Sequence, residues 1–322
     1  MNDFWKKSRN KLFRVYNKLM QKNSNFLFRS ILKTPPITTN PDADVILYSA
    51  LNRVNCWAYI LAAKSFLRFY SNISVVVQDD GDLDERCLSE LRYHVKGITI
   101  YTRESMDLII QQAFSEEVKK VMPPASDCIS STPVKILYLK LFNVIARFQK
   151  KKVIFVDSDM IFLKRPDAII DWIIEPYKRD FYSGGGSFLA KTFHDIGFEF
   201  KTLDISNFNS GLLGIGGSIS QDKLAEVLLR IREYDPSIFY EWEIEQSVWS
   251  VLLSERQNPL NIDGLRELYI GSGWKTYARL REKAIVAHFV GAIRFKNFRY
   301  LRLARDVIKQ LNYGANCSDA SC

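Results

Sequence analysis

Val153-Ile-Phe-Val-Asp-Ser-Asp-Met-Ile161 is the stretch on which the reading of the fold turns. Val153 to Val156 is the most strand-like run in the chain, and Asp157 and Asp159 stand at its carboxyl end. In open α/β sheets, ligands bind beyond the carboxyl ends of the strands. Side chains two residues apart in an extended turn point the same way. Two carboxylates on one side grip a divalent cation, and substrate phosphates complete its shell. Asp-x-Asp alone is common in solvated turns; the apolar strand directly upstream strengthens the signal here.

Working outward, the same pattern recurs. Residues 44–49 read as a short buried strand, 57–69 as a helix, and 72–78 as a second strand stopped by Asp79-Asp80-Gly81. Residues 84–94 read as helix, 97–101 as a third strand, 104–121 as helix, 122–127 as a loop and 134–148 as helix. Later strands are predicted over 208–215 and 284–289, and helices over 241–253 and 301–311. This alternation predicts an α/β fold: a mixed, mostly parallel central sheet flanked by helices. The expected division is a basic arm over 1–40, one α/β domain over 41–300, and a C-terminal helix with a short tail over 301–322.

Composition fits such a body. The chain has 322 residues, 47% hydrophobic and 25% charged, enough for a sizeable core. Its net charge of +9 is unevenly placed. Residues 1–34 hold nine Lys or Arg against the single acid Asp3, a net of +8, which leaves +1 for the rest. A near-neutral body argues against a nucleic-acid partner. The arm reads as helix, with Trp5, Leu12, Tyr16 and Leu19 among the cations and Pro35-Pro36 ending it. It predicts peripheral contact with an anionic membrane, or else a solvated arm or a helix packed on the body. Five cysteines without metal-type pairing, and no apolar run of membrane-spanning length, predict a cytoplasmic protein.

Two more segments carry chemistry. Phe208-Asn-Ser-Gly211 precedes an apolar run; Asn209 and Ser210 offer neutral hydrogen bonds suited to sugar hydroxyls, and Gly211 permits close backbone approach. His288 lies near the end of the apolar run in Val286-Ala-His-Phe-Val-Gly291; a lone His there is usually structural, but joined to two carboxylates it is a candidate third metal ligand. Trp242, Trp249 and Trp274 are candidates for sugar stacking, although core packing is the commoner fate of Trp.

In chain order, Lys140-Leu141, the Asp157-Ser-Asp159 strand end, Phe208-Asn-Ser-Gly211, Glu245-Gln246 and His288-Phe-Val-Gly291 resemble the GT-A glycosyltransferases, most closely the glycogenin-like family 8. The resemblance runs from about residue 44 to 296. It implies a GT-A, Rossmann-like fold and transfer from a nucleotide-sugar, UDP-linked first, to a saccharide, lipid-linked or protein acceptor, with retention of configuration. It implies Mn2+ or Mg2+ as cofactor, held by Asp157, Asp159 and His288. The donor-binding set it implies is Ser49, Ala50, Asn52, Lys140, Asp157, Ser158, Ser210, Gly291 and Arg294; the catalytic set is Glu245, Gln246 and Asn209. Glu245 stands where the family often has Asp, and Arg294 where it has Lys; Arg294 can fork two phosphate oxygens.

Competing readings are a phosphohydrolase using the same Asp-x-Asp and a nucleotidyltransferase. The first lacks a later Asp-Asp pair, and the second lacks glycine in Leu51-Asn-Arg-Val-Asn55. A non-catalytic module that binds nucleotide-sugars or membrane surfaces is the third.

Overall fold

The computed structural model describes residues 15, 16, 19, 20, 23–175, 179–185, 189–200, 208–256, 259–265, 270–272, 275–290 and 294–318. Among them the strands are β1 (Ile37–Thr38), β2 (Val45–Leu51), β3 (Ser74–Asp79), β4 (Val95–Lys96), β5 (Thr99–Tyr101) and β6 (Lys152–Val156). They continue with β7 (Met160–Phe162), β8 (Phe181–Ser183), β9 (Asn209–Ile215), β10 (Leu260–Asn261), β11 (Ile270–Ser272) and β12 (Val286–His288). Seven form the central sheet, in the order β10-β8-β9-β6-β2-β3-β5. β2 pairs in parallel with β3 and β6, and β3 with β5. β9 runs antiparallel between β6 and β8. The expected mixed, mostly parallel sheet flanked by helices is present.

The chain leaves β2 for β3 and β5 on one side, then returns to β6 on the other. In open α/β sheets such a reversal is where ligands bind, here at the carboxyl ends of β2 and β6. Asp157 follows β6 there.

Both sheet faces are covered, which is why the strands read as apolar runs. Leu47, Val75, Val77, Ile154 and Val156 pack with Ile60 and Leu61 of the Cys56–Leu67 helix. Ile46, Tyr48, Val76, Val153 and Phe155 pack on the other face with Leu141 and Trp249.

Some elements differ from expectation. The helix predicted over 104–121 is two, Arg103–Ala113 and Glu116–Val121, because Ser115 caps a new start by accepting the Val118 N–H. The helical stretch predicted over 134–148 runs over 132–147 and contains a π-helical turn, Leu137–Phe142. β7, β8 and the Gln221–Tyr234 helix are not among the predicted elements.

Of the basic arm, residues 1–14, 17, 18, 21 and 22 lie outside the described residues. Its last part forms a helix, Ser24–Phe28, and a 3-10 turn, Arg29–Lys33. Phe28 and Ile31 are buried, and the Phe28 ring sits 4.7 Å from that of Tyr300 on the Arg299–Ser318 helix. Among the described residues, no helix is long and apolar enough to cross a membrane.

Lys64, wholly buried, fixes the chain just after the arm. Its ammonium donates to Thr34 Oγ1 and to the Pro35 carbonyl, both at 2.5 Å, and His94 Nδ1 lies 3.4 Å away. Burial pulls Lys64 down to about 8. Burial, then the Lys64 charge, pulls His94 from 6.5 down to about 4. His94 therefore stays neutral in the fold while the unfolded chain takes up a proton, so stability falls as pH drops from 6.5 toward about 4. Denaturant unfolding at about pH 7.5 and about pH 5 tests this. The wild type should lose more stability over that interval than His94→Gln; equal losses would remove His94 as the source.

Candidate metal centre

Three chain segments meet at the carboxyl end of β6, and backbone hydrogen bonds hold them there. The Asp157 N–H donates to the Gly211 carbonyl of β9 at 3.0 Å. A turn closed by the Met160 N–H on the Asp157 carbonyl, 3.2 Å, leads into β7. β7 pairs antiparallel with β12, with Met160 opposite His288. The Phe289 N–H then donates to the Asp159 carbonyl at 3.1 Å. The imidazole is thereby delivered to the carboxylates by a strand register.

His288 Nε2 lies 3.3 Å from Asp159 Oδ1 and 3.8 Å from Asp157 Oδ2. The other carboxylate oxygens belong to cations. Lys140 Nζ is 2.6 Å from Asp157 Oδ1, and Arg294 Nη2 is 2.6 Å from Asp159 Oδ2. Arg294 Nη1 donates to Asn55 Oδ1 at 2.6 Å. Each carboxylate thus turns one oxygen to a cation and the other to the imidazole. Asp159, His288 and Arg294 are buried, whereas the Asp157 side chain is 31% exposed, so the cluster opens to solvent at Asp157.

These pairings explain the electrostatics. Burial would raise the Asp159 carboxyl, but the Arg294 guanidinium and the His288 ring outweigh it and hold it well below the usual range. Burial would lower Lys140, but the Asp157 and Glu245 carboxylates push it above its ordinary value. Arg294 is raised against burial by Asp159.

The residues fit a divalent cation. The ligand atoms of Asp157, Asp159 and His288 lie within 4.8 Å of one another. A shell with metal–ligand distances of about 2.1 Å spans about 3–4.2 Å between its ligands. His288 Nε2 is buried without a hydrogen-bond partner, a deficit that a metal bond would satisfy. A Cβ on Gly211 would stand 2.6 Å from His288 Cε1 and 2.8 Å from Asp157 Oδ2, so only glycine keeps that space open. Two hard oxygens and one imidazole suit Mn2+ or Mg2+.

Lys140 sits in the π-helical turn, a local form frequent at functional sites. The turn is anchored from below. The Tyr48 hydroxyl donates to the Leu139 carbonyl at 2.5 Å, and Asn143 Nδ2 donates to Tyr48 Oη at 2.8 Å.

The sugar-side candidates cluster beside the candidate metal ligands. Asn209 Oδ1 accepts the Gly211 N–H at 2.8 Å, so its NH2 is the group Asn209 can offer. The Ser210 N–H donates to Gln246 Oε1 at 3.1 Å, and its hydroxyl donates to Glu245 Oε2 at 2.7 Å. Glu245 is buried and its Oε1 has no hydrogen-bond partner. Burial raises its carboxyl, with Lys140 and the Ser210 hydroxyl pulling the other way.

Other expected residues serve the backbone in this structure. The Ser49 hydroxyl donates to the Val156 carbonyl at 2.5 Å, strapping β2 to β6. Ala50 and Asn52 follow at the end of β2, where Asn52 Oδ1 accepts the Asn55 N–H at 3.1 Å. The Ser158 carbonyl accepts from the Tyr300 hydroxyl at 3.2 Å. Trp249 is buried against Phe155, a core residue, while Trp242 is exposed. Gly291 and Trp274 lie outside the described residues. Asn55, which steadies Arg294, was not anticipated: Leu51-Asn-Arg-Val-Asn55 carries no mark that separates it from a surface turn.

Gly211→Ala tests the arrangement. The added methyl should cost about 1–3 kcal/mol of stability and weaken Mn2+ binding at least about tenfold, read by thermal unfolding and by electron paramagnetic resonance of free Mn2+. Unchanged Mn2+ affinity in the folded variant would place the cation elsewhere.

No protein-family model matches the chain, and no curated protein matches it. Among solved structures, it is similar to the WbbM bifunctional glycosyltransferase in its apo form, at 12% identity and a TM-score of 0.44, covering 79% of this chain and 47% of that one. It is similar to the glycosyltransferase GlyE of Streptococcus pneumoniae TIGR4, at 13% identity and a TM-score of 0.46, covering 85% and 64%. It is also similar to the galactosyltransferase LgtC in complex with donor and acceptor sugar analogs, at 14% identity and a TM-score of 0.43, covering 81% and 95%. The chain spans about half to two thirds of the length of the first two.

Proposed function

We propose that this chain is a metal-dependent glycosyltransferase. It moves a sugar from a nucleotide-diphosphate donor, a UDP-linked hexose first among them, to a saccharide, lipid-linked or protein acceptor. The observation that carries this reading is the convergence of Asp157, Asp159 and the unpartnered His288 Nε2 on one point between two buried or half-buried cations.

The chemistry asks for that arrangement. When a glycosyl–phosphate bond breaks, negative charge builds on the departing diphosphate. Lys140 and Arg294 already stand beside the carboxylates, and fixed cations stabilise such charge without reorganising. A divalent cation held by Asp157, Asp159 and His288 would supply Lewis-acid stabilisation of the same leaving group. Asn55 keeps the Arg294 fork from turning away. Ser210 aims Glu245 by donating to one of its oxygens, and the Trp249 side chain acts on the same buried carboxylate, which is held where it would stabilise positive charge developing at the anomeric carbon. Gln246 and Asn209 hold the start of β9 at Ser210 and Gly211 in shape, and the Asn209 NH2 is suited to a hydroxyl of the donor sugar. Retention of configuration is part of the reading, and nuclear magnetic resonance of the product reports it.

The experiment is product mass spectrometry with a panel of nucleotide-sugars, saccharide acceptors and Mn2+. Asp157→Asn is the informative variant, because Asp157 is partly exposed and its change spares the buried Asp159–Arg294 pair. It should lower turnover roughly 10²-fold or more while the protein stays folded. Wild-type turnover that persists in excess EDTA would remove the metal from the account.

A further inference from the structure

We infer that the Val15, Leu19 and Phe26 face of the basic arm, with the groove beside it on the C-terminal helix, docks on an anionic lipid bilayer. The inference is independent of the reaction that the metal centre serves.

The arm carries two apolar stripes. Tyr16, Met20 and Leu27 are partly buried and pack on the core. Val15, Leu19 and Phe26 each stand one residue earlier, and they are 62%, 60% and 71% exposed. The Asn23 N–H donates to the Leu19 carbonyl at 3.2 Å, and the Leu27 N–H to the Asn23 carbonyl at 3.1 Å, so helical bonding continues from Leu19 to Leu27. At about 100° per residue, positions 15, 19 and 26 fall within about 40° of one another. Packing on the body thus uses one stripe and leaves its neighbour outward. Single exposed apolar side chains are ordinary, but three on one stripe beside an apolar groove make a patch. Phe26 lines that groove, of about 500 Å3, together with Leu27, Phe28, Arg305, Ile308 and Lys309. The body holds it in place: Phe28 packs on Tyr300, whose hydroxyl donates to the Ser158 carbonyl.

The charge of this face selects its partner. Residues 15–34 hold Lys18, Lys22, Arg29 and Lys33 and no acid. On the C-terminal helix Arg302, Arg305 and Lys309 are exposed, whereas its acid, Asp306, accepts the Tyr277 hydroxyl at 2.5 Å. A second copy of the chain would set cations against cations. A nucleic acid would answer the cations and leave Leu19 and Phe26 in water. An anionic bilayer takes both, because apolar side chains enter at the acyl boundary while Lys and Arg stay with the headgroups.

Co-sedimentation of the full chain with vesicles tests this, using phosphatidylcholine alone and phosphatidylcholine mixed equally with phosphatidylglycerol. Wild type should bind the anionic vesicles at least about tenfold more tightly than the neutral ones, and added salt should weaken that binding. Leu19→Ser combined with Phe26→Ser should bind the anionic vesicles at least about tenfold more weakly than wild type. Arg305→Glu combined with Lys309→Glu should lose a similar factor. All four side chains are exposed, so the thermal unfolding midpoint should hold in both variants. Hydrogen exchange on wild type needs no variant: residues 15–34 should gain protection with anionic vesicles and not with neutral ones. No binding, equal binding to both vesicles, or no gain in protection overturns the inference. A double serine variant that binds like wild type also overturns it, since charge alone would then account for adhesion. So does light scattering that finds a wild-type dimer and a monomeric Phe26→Ser, which would assign the stripe to a second copy.

Discussion

The antiparallel register between β7 and β12 is the constraint on which the site depends. It sets His288 opposite Met160, one residue past Asp159. The Phe289 N–H on the Asp159 carbonyl extends that ladder to the carboxylate itself. On the other flank, the Asp157 N–H on the Gly211 carbonyl ties the turn to β9. A one-residue slip of β12 against β7 would turn the imidazole to the opposite face, and a slip at β9 would displace Asp157 from Gly211. The geometry of three side chains is thus fixed by main-chain bonds that no single side-chain substitution removes.

The second feature is how so many charges survive burial. An isolated buried carboxylate would be strongly penalised, and a buried guanidinium likewise. Here Asp159 and Arg294 answer one another, and Asn55 takes the remaining fork of the guanidinium. Asp157 and Lys140 do the same at the solvent edge. Among the described residues, the buried atoms without a hydrogen-bond partner include His288 Nε2 and Glu245 Oε1. Both lie beside the Asp157–Lys140 pair, His288 at Asp157 Oδ2 and Glu245 in the field of Lys140. A fold that pairs its other charges here and leaves these two open presents a site for a ligand that supplies both a cation and hydroxyls.

Much of this was legible in the sequence because chemistry and local pattern coincide at the same residues. Val153 to Val156 is apolar and mostly β-branched, and the carboxylates follow it at once, so the strand and the acidic cluster at its end could be read from one stretch. Gly211 could be read as a close-approach position; the nearest atoms to its missing Cβ belong to His288, Asn209 and Asp157. β7 was not legible, since three residues carry no readable period, and its pairing exists only because β12 comes back from far along the chain. The Gln221–Tyr234 helix does carry a readable signal, in the Ser220 cap and the spacing of Leu224, Val227, Leu228 and Ile231. Ser49, Asn52 and Ser158 have the right chemistry for a ligand, yet the main chain uses Ser49, Asn52 and the Ser158 carbonyl first. Residue type alone cannot separate those two uses. Asn55 belongs to the same class of omission: its role depends on Arg294 arriving from the far end of the domain.

The most direct measurement is anomalous diffraction at the manganese edge from crystals grown with Mn2+ and UDP. The account predicts one strong peak within about 2.0–2.6 Å of Asp157, Asp159 and His288 Nε2, with phosphate oxygens on its open side. A peak bound elsewhere, or no peak while UDP is seated in the crevice, would contradict it.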